Sequence, residues 1–346
     1  MTTLYLDEAR LAALLAEKEG ISTFAPAPTD ALAWMDTADG QTAAEALRQA
    51  RPAQSAKGIF LAAAESVGRY GAQAGTPSRT EQQTMVVVGV RACELRAWNY
   101  LDKVFLEGTF KDDAYARRRE ATITVSCDCV DCTESCFCTL VGGQPHATEG
   151  YDVNLTPLEE GFLAEVATDR GREWLESGGS GLNEATDDQL ARRDALRADM
   201  AKRVEAQNAA FGFQADDGNQ PGLPDDADEA WGRFSADCVE CGACTHICPT
   251  CHCFYLYDQA LGPEEFERLR MWDSCLLSTY HRMAGGPGMK LTPRPALFSR
   301  LANRVLHKFA YSPQQYELIG CVGCGRCIDA CLGAIDIRQV VKELSR

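Results

Sequence analysis

The chain has 346 residues, long enough for two domains of about 100–200 residues each with cores of their own, which excludes a small scaffold held by disulfides. Fifty acidic against thirty-four basic side chains give a formal net charge of −16, which argues against nucleic acid or an anionic membrane surface as partner. Seventeen cysteines are too many to leave as free thiols in a reducing compartment that does not maintain disulfides, and metal ligation is the economical account of them.

The opening residues, Met-Thr-Thr-Leu-Tyr-Leu-Asp-Glu-Ala-Arg, lack the basic-then-apolar order of a secretory signal. No apolar run approaches the ~20 residues of a membrane span, so the expectation is a cytoplasmic protein. Asp7 is placed to cap a short amphipathic helix with Leu11, Leu14 and Leu15 on one face and Leu6 stapled to Leu11. Thr84 to Val90 is expected to form a buried strand, followed by a helix through Leu95, Trp98, Leu101 and Phe105. A second strand over Ala121–Val125 ends at a dense run of cysteines. Asp187 to Phe211 has Leu190, Leu196, Met200 and Val204 at helical spacing on a charged background, the pattern of a surface helix. Gln214 to Asp228, rich in Asp, Gly and Pro, breaks all periodicity and is expected to be a solvated linker.

The chemistry is carried by a repeated motif, Cys238-Val-Glu-Cys241-Gly-Ala-Cys244-Thr-His-Ile-Cys248 and Cys321-Val-Gly-Cys324-Gly-Arg-Cys327-Ile-Asp-Ala-Cys331. Both have the spacing C-x2-C-x2-C-x3-C. Three closely spaced cysteines let one tight loop reach three corners of a cubane, and the fourth ligates the other cluster in two-cluster ferredoxins. On that rule Cys238, Cys241, Cys244 and Cys331 hold one [4Fe–4S] cluster, and Cys321, Cys324, Cys327 and Cys248 the other. The second copy ends on Leu332 where the first has Pro249, a residue that shapes the turn and is no ligand. Paired zinc sites are the alternative, although zinc ligands normally come as separated pairs. The long stretch between the motifs, with Glu264–Leu277 and Ser299–Phe309 both read as helical, fits a helical two-cluster domain better than the compact βαβ ferredoxin. In that reading Phe266, Leu269, Met271, Leu276 and Leu277 pack around the cubanes.

Five further cysteines, Cys127, Cys129, Cys132, Cys136 and Cys138, fall within twelve residues. With Cys93 they supply more than enough thiolates for a third cubane; zinc and a thiol redox pair are the alternatives. Cys251, Cys253 and Cys275 are too few for a complete four-cysteine site: they either join Cys127 or Cys132 in a fourth cluster or are buried thiols beside the others. His146, His246, His252, His281 and His307 pair with no nucleophile or carboxylate at catalytic or metal spacing. No G-x-G-x-x-G follows a strand and no G-x4-G-K-S/T occurs, so no flavin, nicotinamide or phosphate loop is expected on this chain.

Several short pieces in order, Gly89-Val-Arg-Ala-Cys93-Glu-Leu, Cys136-Phe-Cys138, Cys248-Pro-Thr-Cys-His-Cys-Phe254, Trp272-Asp-Ser-Cys275, Met283-Ala-Gly-Gly286 and Cys321-Val-Gly-Cys-Gly-Arg-Cys327, resemble the dicluster iron–sulfur subunits of anaerobic oxidoreductase complexes. These include sulfhydrogenase beta subunits, the A subunit of anaerobic sulfite reductase and subunits linked to heterodisulfide reductases. The resemblance implies an electron relay between a flavin subunit that meets NAD(P)H and a catalytic subunit. It also implies Cys93, Cys129, Cys136 and Cys138 for the third cluster, with Cys127 as the substitute for Cys129. The rival functions are a self-contained reductase with substrate at a cluster near Cys251 and Cys275, and a structural zinc protein. The architecture expected is an α/β (α+β) domain with a Cys-rich loop over residues 1–170, a surface helix and acidic linker over 171–230, and a mainly α-helical two-cluster ferredoxin domain over 231–346.

Overall fold

A computed structural model describes residues 2–16, 19–26, 34–36, 40–71, 83–179, 182–285 and 291–345; Gly286 of the Met283–Gly286 piece lies outside them. The chain divides into two compact units. The first comprises Met1–Ala56, Gln82–Ala210 and Val322–Gly325, and the second Lys57–Glu81, Phe211–Cys321 and Arg326–Arg346. Among the described residues no helix is long and apolar enough to cross a membrane.

The first unit is built on an eight-stranded mixed sheet. Its centre is parallel, with Ile21–Pro26, Thr84–Val90, Thr122–Cys127 and Val153–Leu158 side by side. Antiparallel neighbours, Trp34–Asp36 at one edge and Gly161–Val166, Thr2–Leu6 and Asn183–Glu184 at the other, complete it. Thr84–Val90 is buried from Met85 onward, as a central parallel strand covered on both faces should be. Asp7 caps the helix Glu8–Leu15 by accepting from the Arg10 amide, and Leu11, Leu14 and Leu15 are buried. The helix Ala92–Leu106 starts one residue after the central strand and buries Leu95, Trp98, Leu101 and Phe105. Cys93 therefore lies in a first helical turn at a strand's C-terminal end, and Cys127 ends the neighbouring strand.

The helix Asp187–Asn208, closed at its start by a Thr186–Gln189 capping box, is more than a solvated surface element. It buries Met200, Val204 and Asn208 within the first unit. The acidic stretch from Gln214 to Asp228 is irregular as expected but is anchored in the second unit, where the Ile319 amide donates to Asp217 at 2.7 Å.

The second unit departs from the helical expectation. Phe254–Gly262 and Glu265–Trp272 form a hairpin, and Ala64–Gly71 adds the third antiparallel strand. The charged residues that made Glu264–Leu277 look like a helix surface are cross-strand partners instead. Arg268 grips Asp258 through two bonds of 2.7 and 2.9 Å, and Arg270 pairs with Glu65. A strand contributed from about two hundred positions away thus decided a segment whose local pattern was ambiguous. Helices carry part of the remainder: Leu297–Leu306 runs into a π-helical turn at His307–Tyr311, and Ile337–Leu344 follows the second motif.

Candidate iron–sulfur sites

In the second unit the two cysteine loops meet at a cleft lined by Cys238, Cys241, Cys244 and Cys331, joined by Cys327 and Arg304. These include the four cysteines expected to share the first cluster. The loop between Cys238 and Cys241 is held open by Glu240, which sits in the left-handed region at φ 53°. That conformation is uncommon for a residue with a side chain. The Glu240 carboxylate accepts from Arg300 at 2.8 Å, and the same guanidinium donates to the carbonyls of Leu276 and Pro295. The amide of Ile335 donates to Cys331 Sγ at 3.2 Å, the kind of N–H···S bond that tunes cluster ligands. Val239 and Leu332, on the rim, are 61% and 78% exposed.

A buried cation beside the donor set fits an anionic cluster. Arg304 is only 5% exposed, and its Nε and Nη2 atoms have no hydrogen-bond partner among the described residues. Burial alone would lower its pKa, but the negative charges of Cys244, Cys327, Cys251 and Cys248 more than offset this and raise it. A buried guanidinium with unspent donors beside four thiols is costly alone, and a thiolate-ligated cluster supplies both the countercharge and the acceptors. Burial pushes the Cys238 and Cys244 thiols above their ordinary pKa, so they give up protons when a metal takes them.

A second cleft lies in the first unit and is lined by Cys93, Cys129, Cys136 and Cys138, with Cys132 and Cys324 beside them. Several local devices shape it. Arg91 donates to the carbonyls of Asp128 and Gln49 at 2.7 Å and of Leu47 at 2.9 Å, clipping the start of the Cys-rich loop to the strand ends. The side-chain amides of Gln207 and Asn208 both donate to the Cys136 carbonyl, at 2.7 and 2.8 Å. Burial raises the Cys138 thiol and pushes Cys129 up to about 12, despite the opposing pull of Arg91. Cys127 turns the other way, into the sheet core, where it is 1% exposed and its thiol donates to the carbonyls of Leu47 and Asp128.

The cysteines expected to share the second cluster are divided: Cys324 belongs to the first unit and Cys321, Cys327 and Cys248 to the second. Within the second unit, Lys308 Nζ lies 3.1 Å from Cys248 Sγ and also donates to Thr250 and the Gly320 carbonyl. Burial would lower Lys308, yet the charges of Cys248, Cys251 and Cys321 hold it well above its ordinary value. A hydrogen bond from Cys251, aided by Lys308, holds the Cys248 thiol low. Cys253 and Cys275 form a further hydrogen-bonded pair that lowers Cys253 to about 6. Among the described residues, no three His, Cys, Asp or Glu side chains are placed to hold a single metal ion.

His252 and His307 pack edge to face at 5.6 Å, and burial lowers both to about 4. Neither is a cation near neutral pH. The charges that face the cysteines come instead from Arg304 and Lys308, which with Arg300 are buried and which the residue-by-residue reading did not single out. Their signal was present: three basic residues at four-residue spacing alternate with Leu301 and Val305 on one otherwise apolar helical run.

Residues 237–335 match the family model described as a 4Fe-4S dicluster domain. The sulfhydrogenase 2 subunit beta of Pyrococcus furiosus is 31% identical over 264 residues, covering 75% of this chain and 73% of that protein. That extent takes in far more than the cysteine motifs, so with the cleft of Cys238, Cys241, Cys244 and Cys331 it leads to one assignment: the chain belongs to the family of dicluster [4Fe–4S] electron-transfer subunits.

Proposed function

We propose that this chain is the wire of an anaerobic cytoplasmic oxidoreductase complex, relaying single electrons between a flavin subunit that meets NAD(P)H and a separate catalytic subunit of hydrogenase, sulfite reductase or heterodisulfide reductase type. The observation that carries this reading is the cleft of Cys238, Cys241, Cys244 and Cys331 with the unspent buried donors of Arg304 on its wall. When bound, [4Fe–4S] clusters supply reversible one-electron storage over roughly −700 to +450 mV.

The chain's own residues do the rest. Cys238, Cys241, Cys244 and Cys331 hold the first cluster, and Cys321, Cys324, Cys327 and Cys248 the second. Cys93, Cys129, Cys136 and Cys138 hold the third; the inward-facing thiol of Cys127 supports Cys129 over Cys127 as ligand. Cys132, Cys251, Cys253 and Cys275 are thiols that support these sites from beside them. Apolar and basic walls flank the sulfurs, with Cys241 left at the exposed rim, so that electrons can enter and leave there without coupled chemistry. The terminal substrate is left to the catalytic partner.

The test is iron, acid-labile sulfide and zinc per chain after anaerobic purification, with electron paramagnetic resonance of the dithionite-reduced protein. About twelve irons with spin-coupled signals are expected, four to each cubane. Zinc without iron would overturn the relay, and steady turnover of sulfite, protons or a disulfide by the isolated chain would replace it with a self-contained reductase.

A further inference from the structure

The buried cation Arg304 goes beyond the ligand assignment. It sits in the last turn of the helix Leu297–Leu306 and lines the cleft together with Cys244 of the first motif and Cys327 of the second. Its neighbour one turn earlier, Arg300, spends its guanidinium on Glu240 and on backbone carbonyls. One turn later, Lys308 spends its ammonium on Cys248, Thr250 and Gly320. Arg304 alone of the three keeps Nε and Nη2 buried and unpartnered among the described residues. A fold does not retain such an uncompensated charge for packing, because an apolar side chain of similar length would fill the space without the desolvation cost.

We propose that Arg304 is the residue that sets the reduction potential of the cluster in this cleft, by presenting a fixed positive charge and the free donors of Nε and Nη2 to its sulfurs. The proposal rests on the reading that Cys238, Cys241, Cys244 and Cys331 hold a [4Fe–4S] cluster. Reduction adds one electron and no proton, so the group becomes one unit more negative. A buried cation favours that state and raises the potential, and N–H donors to sulfur act in the same direction. Arg304 also faces Cys327, so the same charge lowers the cost of placing a second electron on the neighbouring motif. Arginine suits the role because it stays charged at any working pH and its planar fork can donate to two acceptors at once.

The experiment is an electron paramagnetic resonance redox titration of the iron-loaded full chain as wild type, Arg304→Gln and Arg304→Lys, with iron and sulfide counted in each. In Arg304→Gln, the ratio of reduced to oxidised cluster at fixed potential should fall at least tenfold, a midpoint drop of about 59 mV or more for a one-electron couple. Arg304→Lys, which keeps the charge and loses the fork, should fall between Arg304→Gln and wild type. An unchanged midpoint in iron-loaded Arg304→Gln overturns the proposal and leaves the cluster assignment standing, whereas wild type lacking iron overturns that assignment instead. Should Arg304→Gln fail to load, Arg304→Met is read in its place. If both neutral variants lose the cluster while Arg304→Lys keeps it, Arg304 is a structural counter-ion and the potential-setting role is wrong.

Discussion

A Cβ built on Gly323 would lie 2.5 Å from the Cα of Cys138 and 2.6 Å from its amide nitrogen. The two residues come from cysteine runs almost two hundred positions apart, yet the Phe137 amide donates to the Gly323 carbonyl at 2.8 Å and Cys324 lines the same cleft as Cys138. Gly325 is equally confined, with a Cβ that would fall 2.3 Å from the Ser135 carbonyl oxygen. Both glycines have positive φ, so no side chain fits either the space or the backbone.

Gly323→Ala is therefore expected to displace the Cys136–Cys138 turn rather than only strain it. The left-handed backbone alone costs about 1–3 kcal/mol, and the contact with a backbone atom adds to that. Iron should fall by about four per chain, one cubane's worth, with Cys93, Cys129, Cys136 and Cys138 no longer able to close on a cluster. Retention of the full iron complement by Gly323→Ala would show that the close approach of Gly323 to Cys138 is not needed to hold that cubane.

Cys127 and Cys129 make a sharper pair, since the sequence alone could not separate them. Cys127→Ala should keep every iron and cost about 1–2 kcal/mol of stability, the penalty of emptying part of a packed core. Cys129→Ala should lose about four irons, as one cubane loses a ligand. Iron counts and urea melts of the two variants read this directly, and the opposite pattern would put Cys127 in the ligand set.

Legibility of the fold followed how local its causes are. The Asp7 cap, the apolar run Thr84–Val90 and the helix through Trp98 depend on neighbours in sequence, and each was readable. The hairpin Phe254–Trp272 was not, because the alternation of Phe266, Leu269 and Met271 is imperfect and its charged residues find partners only across strands. The hairpin of Val153–Leu158 and Gly161–Val166 also went unread. The repeated cysteine spacing announced the site chemistry at once. Which thiol turns inward at Cys127, and which of three basic residues is left unspent, depends on packing that spacing does not encode.

Burial pushes the Cys127 thiol up to about 11 in the folded chain, above the ordinary value near 8.5. A raised pKa means that the neutral thiol is the form favoured by folding. Its contribution is thus fully present below about pH 8.5 and is lost as pH climbs toward 11, with a slope of at most about 1.4 kcal/mol per unit. Urea melts of iron-stripped protein across that window should show a shallower decline in Cys127→Ala than in wild type. Equal slopes would mean that other buried thiols dominate the alkaline transition.

The three-stranded sheet of the second unit offers a test of the ion pairs that replaced the expected helix. Arg270 and Glu65 are almost fully buried, at 4% and 9% side-chain exposure, and pair across Glu265–Trp272 and Ala64–Gly71. Removing one partner strands a charge in a poorly solvated place, which typically costs about 3–5 kcal/mol, whereas replacing both with apolar residues is often neutral or better. Glu65→Ala should therefore lower the unfolding midpoint of the second unit strongly, and the double variant Glu65→Met/Arg270→Met should recover most of the loss. Arg268 and Asp258 bond across the hairpin at comparable distances but lie at 50% and 38% exposure, so Asp258→Ala should cost less than about 1 kcal/mol. Equal losses from Glu65→Ala and Asp258→Ala would show that burial is not what gives the Arg270–Glu65 pair its weight.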